Sequence, residues 1–103
     1  MAKPEFDKTL VCSTAHFTDG DNIALARFGR EHAEAPDTSD HFVADMGYGY
    51  LVWVNSDGDF SEYKDKLSDA FIGILMFAFN QGAQWVRFDR DAPELDDFPT
   101  FDW

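Results

Sequence analysis

From Ala70 to Ala78 the chain is apolar at every position except Gly73, and this run limits the possible folds more than any other feature. It is far shorter than the ~18 apolar residues expected of a membrane span. It is also too apolar all round for a surface helix, so it belongs in a core or an interface. Asp59 with Glu62 matches a capping box and Gly82 suits a C′ position, which predicts a long helix from about Asp59 to about Gln81. On a helical wheel Tyr63, Leu67, Phe71, Ile74, Leu75 and Ala78 form one stripe, with Glu62, Asp65 and Asp69 opposite. From Ile72 onward the acidic side gives way to Met76 and Phe77, which something must cover.

The remaining segments supply a sheet. Thr9 to Phe17 reads as a strand with apolar residues on both faces, which suggests a central position. Thr18 is a good N-cap, and Asp19 and Asp21 sit where carboxylates meet a positive helix end. A helix therefore starts there and ends near Ala33, before Pro36. Thr38 to Asp40 form a polar linker. Phe42 to Ala44 and Gly49 to Asn55 read as strands joined by the Gly47-Tyr48-Gly49 bend. In the second of these Tyr50, Val52 and Val54 share one face and Leu51 and Trp53 the other. That strand is either covered on both sides or presents an aromatic face to a partner. Trp85 to Phe88 form a last strand, and residues 89–103 an acidic, aromatic tail. The expected architecture is one α+β domain over 1–103, a small antiparallel sheet of three or four strands with two helices. Its order β-α-β-β-α-β is that of a ferredoxin-like split βαβ sandwich if the strand at Phe42 is real.

Composition decides what such a domain can bind. Twenty acids face eight Lys plus Arg, a net charge of −12, which disfavours direct contact with a nucleic-acid backbone or an anionic membrane. Hydrophobic residues nonetheless make up 45% of the 103 residues, enough for a folded core. Cys12 is the single cysteine, so no internal disulfide is possible and a reducing cytoplasm is the simplest location. Met1 to Lys8 lacks the apolar run of a signal peptide.

Catalytic and cofactor chemistry finds little support. Cys12 and His16 are the one pair resembling a nucleophile and its base, but four residues along a strand span ~13 Å, beyond hydrogen-bond reach. The turn from Asn55 to Asp59 has the acids of a calcium loop. Aligning Gly58 with that loop's glycine, however, puts Trp53 and Lys64 at ligand positions. His16, His32 and His41 have no zinc spacing. Phosphate loop, dinucleotide fingerprint and serine elbow are missing. No catalytic residue, metal or cofactor is therefore expected.

The acids fall into two sequence groups. One is Asp57, Asp59, Glu62, Asp65 and Asp69; the other is Asp89, Asp91, Glu94, Asp96 and Asp97. A compact chain of this length is ~33 Å across, and duplex DNA of that length carries ~19 phosphates, roughly half visible from one side. Ten converging carboxylates would match that charge, which makes DNA mimicry one expectation. Another makes Phe98, Phe101 and Trp103 anchors in a basic groove, with the neighbouring acids steering the approach. A third folds those aromatics back over Met76 and Phe77. A homodimer through Ile72, Met76 and Phe77 would also hide that patch.

Cys12 to His16, the Tyr50 to Val54 strand and the Gln81-Gly82-Ala83-Gln84-Trp85 helix exit resemble a family of short uncharacterised proteins carried on proteobacterial plasmids and prophages. The resemblance spans most of the chain and carries over no catalytic residue. It implies a setting rich in small acidic anti-restriction and anti-CRISPR inhibitors, whose targets have basic nucleic-acid channels. The expectation is a non-enzymatic inhibitor that binds a basic, nucleic-acid-binding surface of a host defence complex. Its alternatives are an immunity or antitoxin protein against a basic nuclease, and a homo-oligomeric structural or regulatory protein.

Overall fold

The computed structural model describes residues 3–35 and 42–103; the expected linker at Thr38 to Asp40 and helix stop at Pro36 lie outside them. Seven elements follow in order: β1 (Thr9–Cys12), α1 (Asp19–Glu34), β2 (Val43–Asp45), β3 (Gly49–Trp53), α2 (Ser61–Lys64), α3 (Asp69–Asn80) and β4 (Trp85–Asp89). The α+β class and element order agree with the sequence reading.

The sheet order is β1-β4-β3-β2. β1 pairs with β4 in parallel, and the other two pairings are antiparallel. The sheet is thus mixed rather than antiparallel. β4 occupies the interior position that a ferredoxin-like arrangement gives to β1, and β1 becomes an edge strand. Its apolar character on both faces reflects local packing, not a central position.

Cross-strand register sorts the side chains. Leu10, Cys12, Val86, Phe88, Tyr50, Val52 and Val43 share one face, and all but half-buried Leu10 are buried. α1 and α3 lie on this side. Phe71 stacks on Phe88 with ring centroids 5.3 Å apart, and the Tyr50 hydroxyl donates to the Asn22 side chain at 2.9 Å. The stripe Tyr63, Leu67, Phe71, Ile74, Leu75 and Ala78 is buried here as the helical wheel requires. Burial of this face is the main stabilising term, at about 25 cal/mol per Å² of apolar surface.

The opposite face carries Val11, Arg87, Leu51 and Ala44 in one row and Trp85 and Trp53 in the next. These residues are all half-buried, and at the β2 edge His32 of α1 reaches Phe42 at a centroid distance of 4.2 Å. The alternation seen in β3 therefore reflects one covered and one open face.

Two helix expectations met different fates. α1 begins where predicted, with Thr18 and Asp21 forming a reciprocal capping box. The second helix is broken into α2 and α3, and at twelve residues α3 is shorter than the sixteen-residue α1. The break lies at Ser68, whose side chain caps the Phe71 amide. Asp59 accepts from the Ser61 amide at 3.0 Å rather than completing a box with Glu62. At the far end Gly82 takes φ +77°, and amides 82 and 83 bond carbonyls 79 and 78. This is a complete Schellman motif.

Candidate functional site

Cys12 and His16 sit in separate elements. β1 stops at Cys12, and Thr14–His16 form a 3-10 turn capped by Ser13. Cys12 is fully buried, and that burial pushes its thiol up to about 12. Such a thiol holds its proton and is a poor nucleophile.

His16 is instead the centre of a latch. Its Nδ1–H donates to the Pro99 carbonyl at 2.9 Å, and its Nε2 accepts the Leu95 amide at 2.7 Å. These backbone partners fix one neutral tautomer, because the amide can only donate and the carbonyl only accept. The same turn receives three further bonds from the tail region. The Ser13 amide donates to the Pro93 carbonyl at 3.1 Å, the Phe101 amide to Ala15 at 2.8 Å, and the Trp103 indole to Phe17 at 2.9 Å. Trp103 stacks on buried Phe17 with centroids 5.7 Å apart, and Phe98 meets Phe77 edge-on at 5.2 Å. The tail is therefore a folded part of the domain. Phe98 and Phe101 are half-buried, Trp103 is 55% exposed, and Met76 stays 51% exposed. The tail covers Phe77 in part and leaves Met76 open.

Sheet topology places the carboxylates. β1, β2 and β4 all end at the pole where β3 begins. α1 and α3 start at this pole too, joined by Asp21, which is buried and accepts the Ser68 amide at 2.7 Å along with the Ser68 hydroxyl and the Thr18 amide. Asp69, Asp89 and Asp91 therefore collect here, and the latch brings Glu94, Asp96 and Asp97 beside them. Asp19 at the start of α1 and Asp45 at the end of β2 join the same pole through the strand order, and Asp102 joins it through the tail's bonds to the turn at 14–17; Arg90, whose amide donates to the Tyr48 carbonyl at 3.1 Å, is a cation at this pole. Of the predicted acids, Asp57 and Asp59 lie at the opposite pole, in the turn after β3 near Phe79. Glu62 and Asp65 fall between, on and just after α2. The two sequence groups do not form one face.

Apart from Asp21, the polar carboxylates are exposed or, for Asp89, half-buried. None of them forms an ion pair with a described residue, in contrast to Arg27 and Glu31 at 3.4 Å on α1. The turn at 55–59 uses its acids internally: Asp57 accepts the Asp59 amide at 2.9 Å. The Ser61 backbone amide bonded to Asp59 lowers that carboxyl below its ordinary range. No group of three or more potential metal ligands occurs among the described residues. Likewise no described helix is long and apolar enough to cross a membrane.

Fold and site together define a small acidic α+β domain with a one-sided sheet and a latched C-terminal segment. The chain belongs to the family described as "Family of unknown function (DUF5983) C-terminal domain", whose model matches residues 9–103. No curated protein and no solved structure matches it.

Proposed function

We propose that this protein is a non-enzymatic inhibitor whose acidic pole occupies a basic, nucleic-acid-binding surface of a partner protein. The observation that carries this reading is the gathering of Asp19, Asp45, Asp69, Asp89, Asp91, Glu94, Asp96, Asp97 and Asp102 at one end of the sheet without described ion-pair partners. These nine carboxylates far outweigh Arg90, a cation at the same end of the sheet, and such an excess of one sign raises the local field and steers a cationic surface toward it. The molecule measures 49 × 31 × 25 Å. A duplex segment as long as its middle dimension carries about 18 phosphates, about half of them on one side. The charge at the pole is of that order, which supports mimicry of a nucleic-acid backbone.

The resemblance to plasmid- and prophage-borne proteins makes a host defence complex the preferred target, of the anti-restriction or anti-CRISPR kind. The test is capture of partners on immobilised protein followed by elution in a salt gradient. A nucleic-acid-binding complex should elute at moderate salt and should be lost in the triple variant D91K/D96K/D97K. Retention by that variant, with loss in D57K instead, would sink the assignment to this pole.

A second reading rests on α3, where Met76, Phe77 and Phe79 remain exposed beside a buried core stripe. A homodimer through Ile72, Met76 and Phe77 would cover the first two of these. Sedimentation of the protein and of M76K separates this reading from the first.

A further inference from the structure

We infer that the open face of the sheet docks an amphipathic helix of a partner protein, anchored by one carboxylate of that helix on Arg87. Its anchors, Arg87 and the Trp53–Trp85 pair, lie outside the acidic pole, so it stands or falls apart from that reading. Along the open face Trp85 packs edge-on against Trp53 at 4.7 Å and against Phe42 at 5.2 Å. In the next row Arg87 sits in register between Val11 on β1 and Leu51 on β3. Its Nε is buried with no hydrogen-bond partner, and it has no ion pair among the described residues. In a chain with twenty acids and eight Lys plus Arg, a guanidinium in an apolar row with no partner for its Nε among the described residues is conspicuous. Asp89 lies two residues away on the same strand, yet its Oδ1 accepts the Asp91 amide at 2.9 Å instead.

Physical chemistry selects the occupant. A buried donor without an acceptor is costly, and an Arg fork is matched best by a planar carboxylate or a phosphate. A nucleic acid is disfavoured because Arg87 is the one cation in these two rows, whereas the rim holds Asp89 and also Asp7, which accepts the Trp85 indole N–H at 3.3 Å. Area decides between a second copy and a smaller element. Four strands about 4.8 Å apart, of which the two longest, β3 and β4, have five residues, give a face of at most roughly 19 by 16 Å, about 300 Å². A stable pair of globular partners buries about 800 Å² on each side. A helix of about 10–12 Å diameter and three turns fits the face. The partner helix therefore presents apolar residues at i, i+3, i+4 and i+7 with an Asp or Glu at the middle of that stripe.

The probe is a phage-displayed library of 18-residue helical peptides, an Ala/Glu/Lys scaffold randomised on one face, panned against the intact protein. Enriched peptides should carry apolar residues flanking a central acid. In fluorescence anisotropy they should bind Arg87→Met at least tenfold more weakly, Arg87→Lys at an intermediate level, and the matched control Arg27→Met on α1 unchanged. Arg87→Met keeps the aliphatic stem and Arg87→Lys the charge, so either variant reports on the fork without emptying the face. Failure to enrich any peptide overturns the inference, as does binding that survives Arg87→Met. Binding of oligothymidine to this face, lost in Trp53→Ala, would equally overturn it in favour of a nucleic-acid platform. So would concentration-dependent self-association abolished by Trp53→Ala.

Discussion

Asp21 shows how much one side chain can organise in so small a domain. Its carboxylate is buried and joins the first turns of α1 and α3 through Thr18 and Ser68. Helix N-termini stabilise negative charge, and here two of them converge on one group. Asp21→Ala should cost about 3–5 kcal/mol, because it strands buried donors; Asp21→Asn, which retains part of the bonding, should cost less. Urea denaturation of both variants checks the order, and equal losses would argue against a charge-specific role. Cys12 gives a pH signature. Burial raises its pKa from 9.0 to about 12, so the folded thiol keeps a proton that the unfolded thiol gives up. Its contribution to stability is therefore fully present below about pH 9 and is lost as pH rises toward about 12, by up to about 1.4 kcal/mol per pH unit. Cys12→Ala should flatten that alkaline decline. Burial pushes the Tyr63 phenol upward as well, adding a component in the same direction. In native protein at pH 8 the thiol should resist a thiol-specific reagent and react only on unfolding.

At the scale of elements, glycines separate backbone cost from steric cost. Gly82 has φ +77° with open space around its Cα, so Gly82→Ala should cost only about 1–2 kcal/mol of left-handed strain. A Cβ on Gly49 would overlap the Phe88 carbonyl and force β3 away from β4. Gly49→Ala should therefore abolish the cooperative thermal transition, a loss above about 4 kcal/mol. His16→Ala should release the latch, leaving Pro99 and Leu95 without their partner; hydrogen exchange should then show residues 93–103 losing protection while α1 keeps it. These elements also show what could be read in advance. The α1 capping box and the Gly82 stop depend on residues within five positions of each other, and both were legible. So was the alternation in β3, including its aromatic face. The break before Ser68 was not, because it depends on Asp21, 47 positions away. The parallel edge position of β1 likewise has no local signature. Of the candidate site, the tail acids were legible as a run. Asp19 and Asp45 joined them only through the strand order, which also sent Asp57 and Asp59 to the other pole.

The whole molecule has two opposite responses to salt. Repulsion within a chain of net charge −12 opposes compaction, so added salt should raise its melting temperature. The same screening should weaken capture of a cationic partner. A melting series and a binding series over one range of salt would show the two slopes, and parallel slopes would contradict an electrostatic interface. The parallel pairing of β1 with β4 has one more consequence, concerning how the protein is made. Lys8 and Gln84, at the start of that pairing, are 76 positions apart. At about 5–20 residues per second, a ribosome leaves β1 without its neighbour for roughly 4–15 s. During that interval an apolar strand and the Phe-rich α3 segment emerge with no finished sheet to receive them. Residues 1–30 carry no net charge, but from Glu31 onward carboxylates outnumber Lys plus Arg, so the chain that awaits its last strand is acidic and neighbouring copies repel one another.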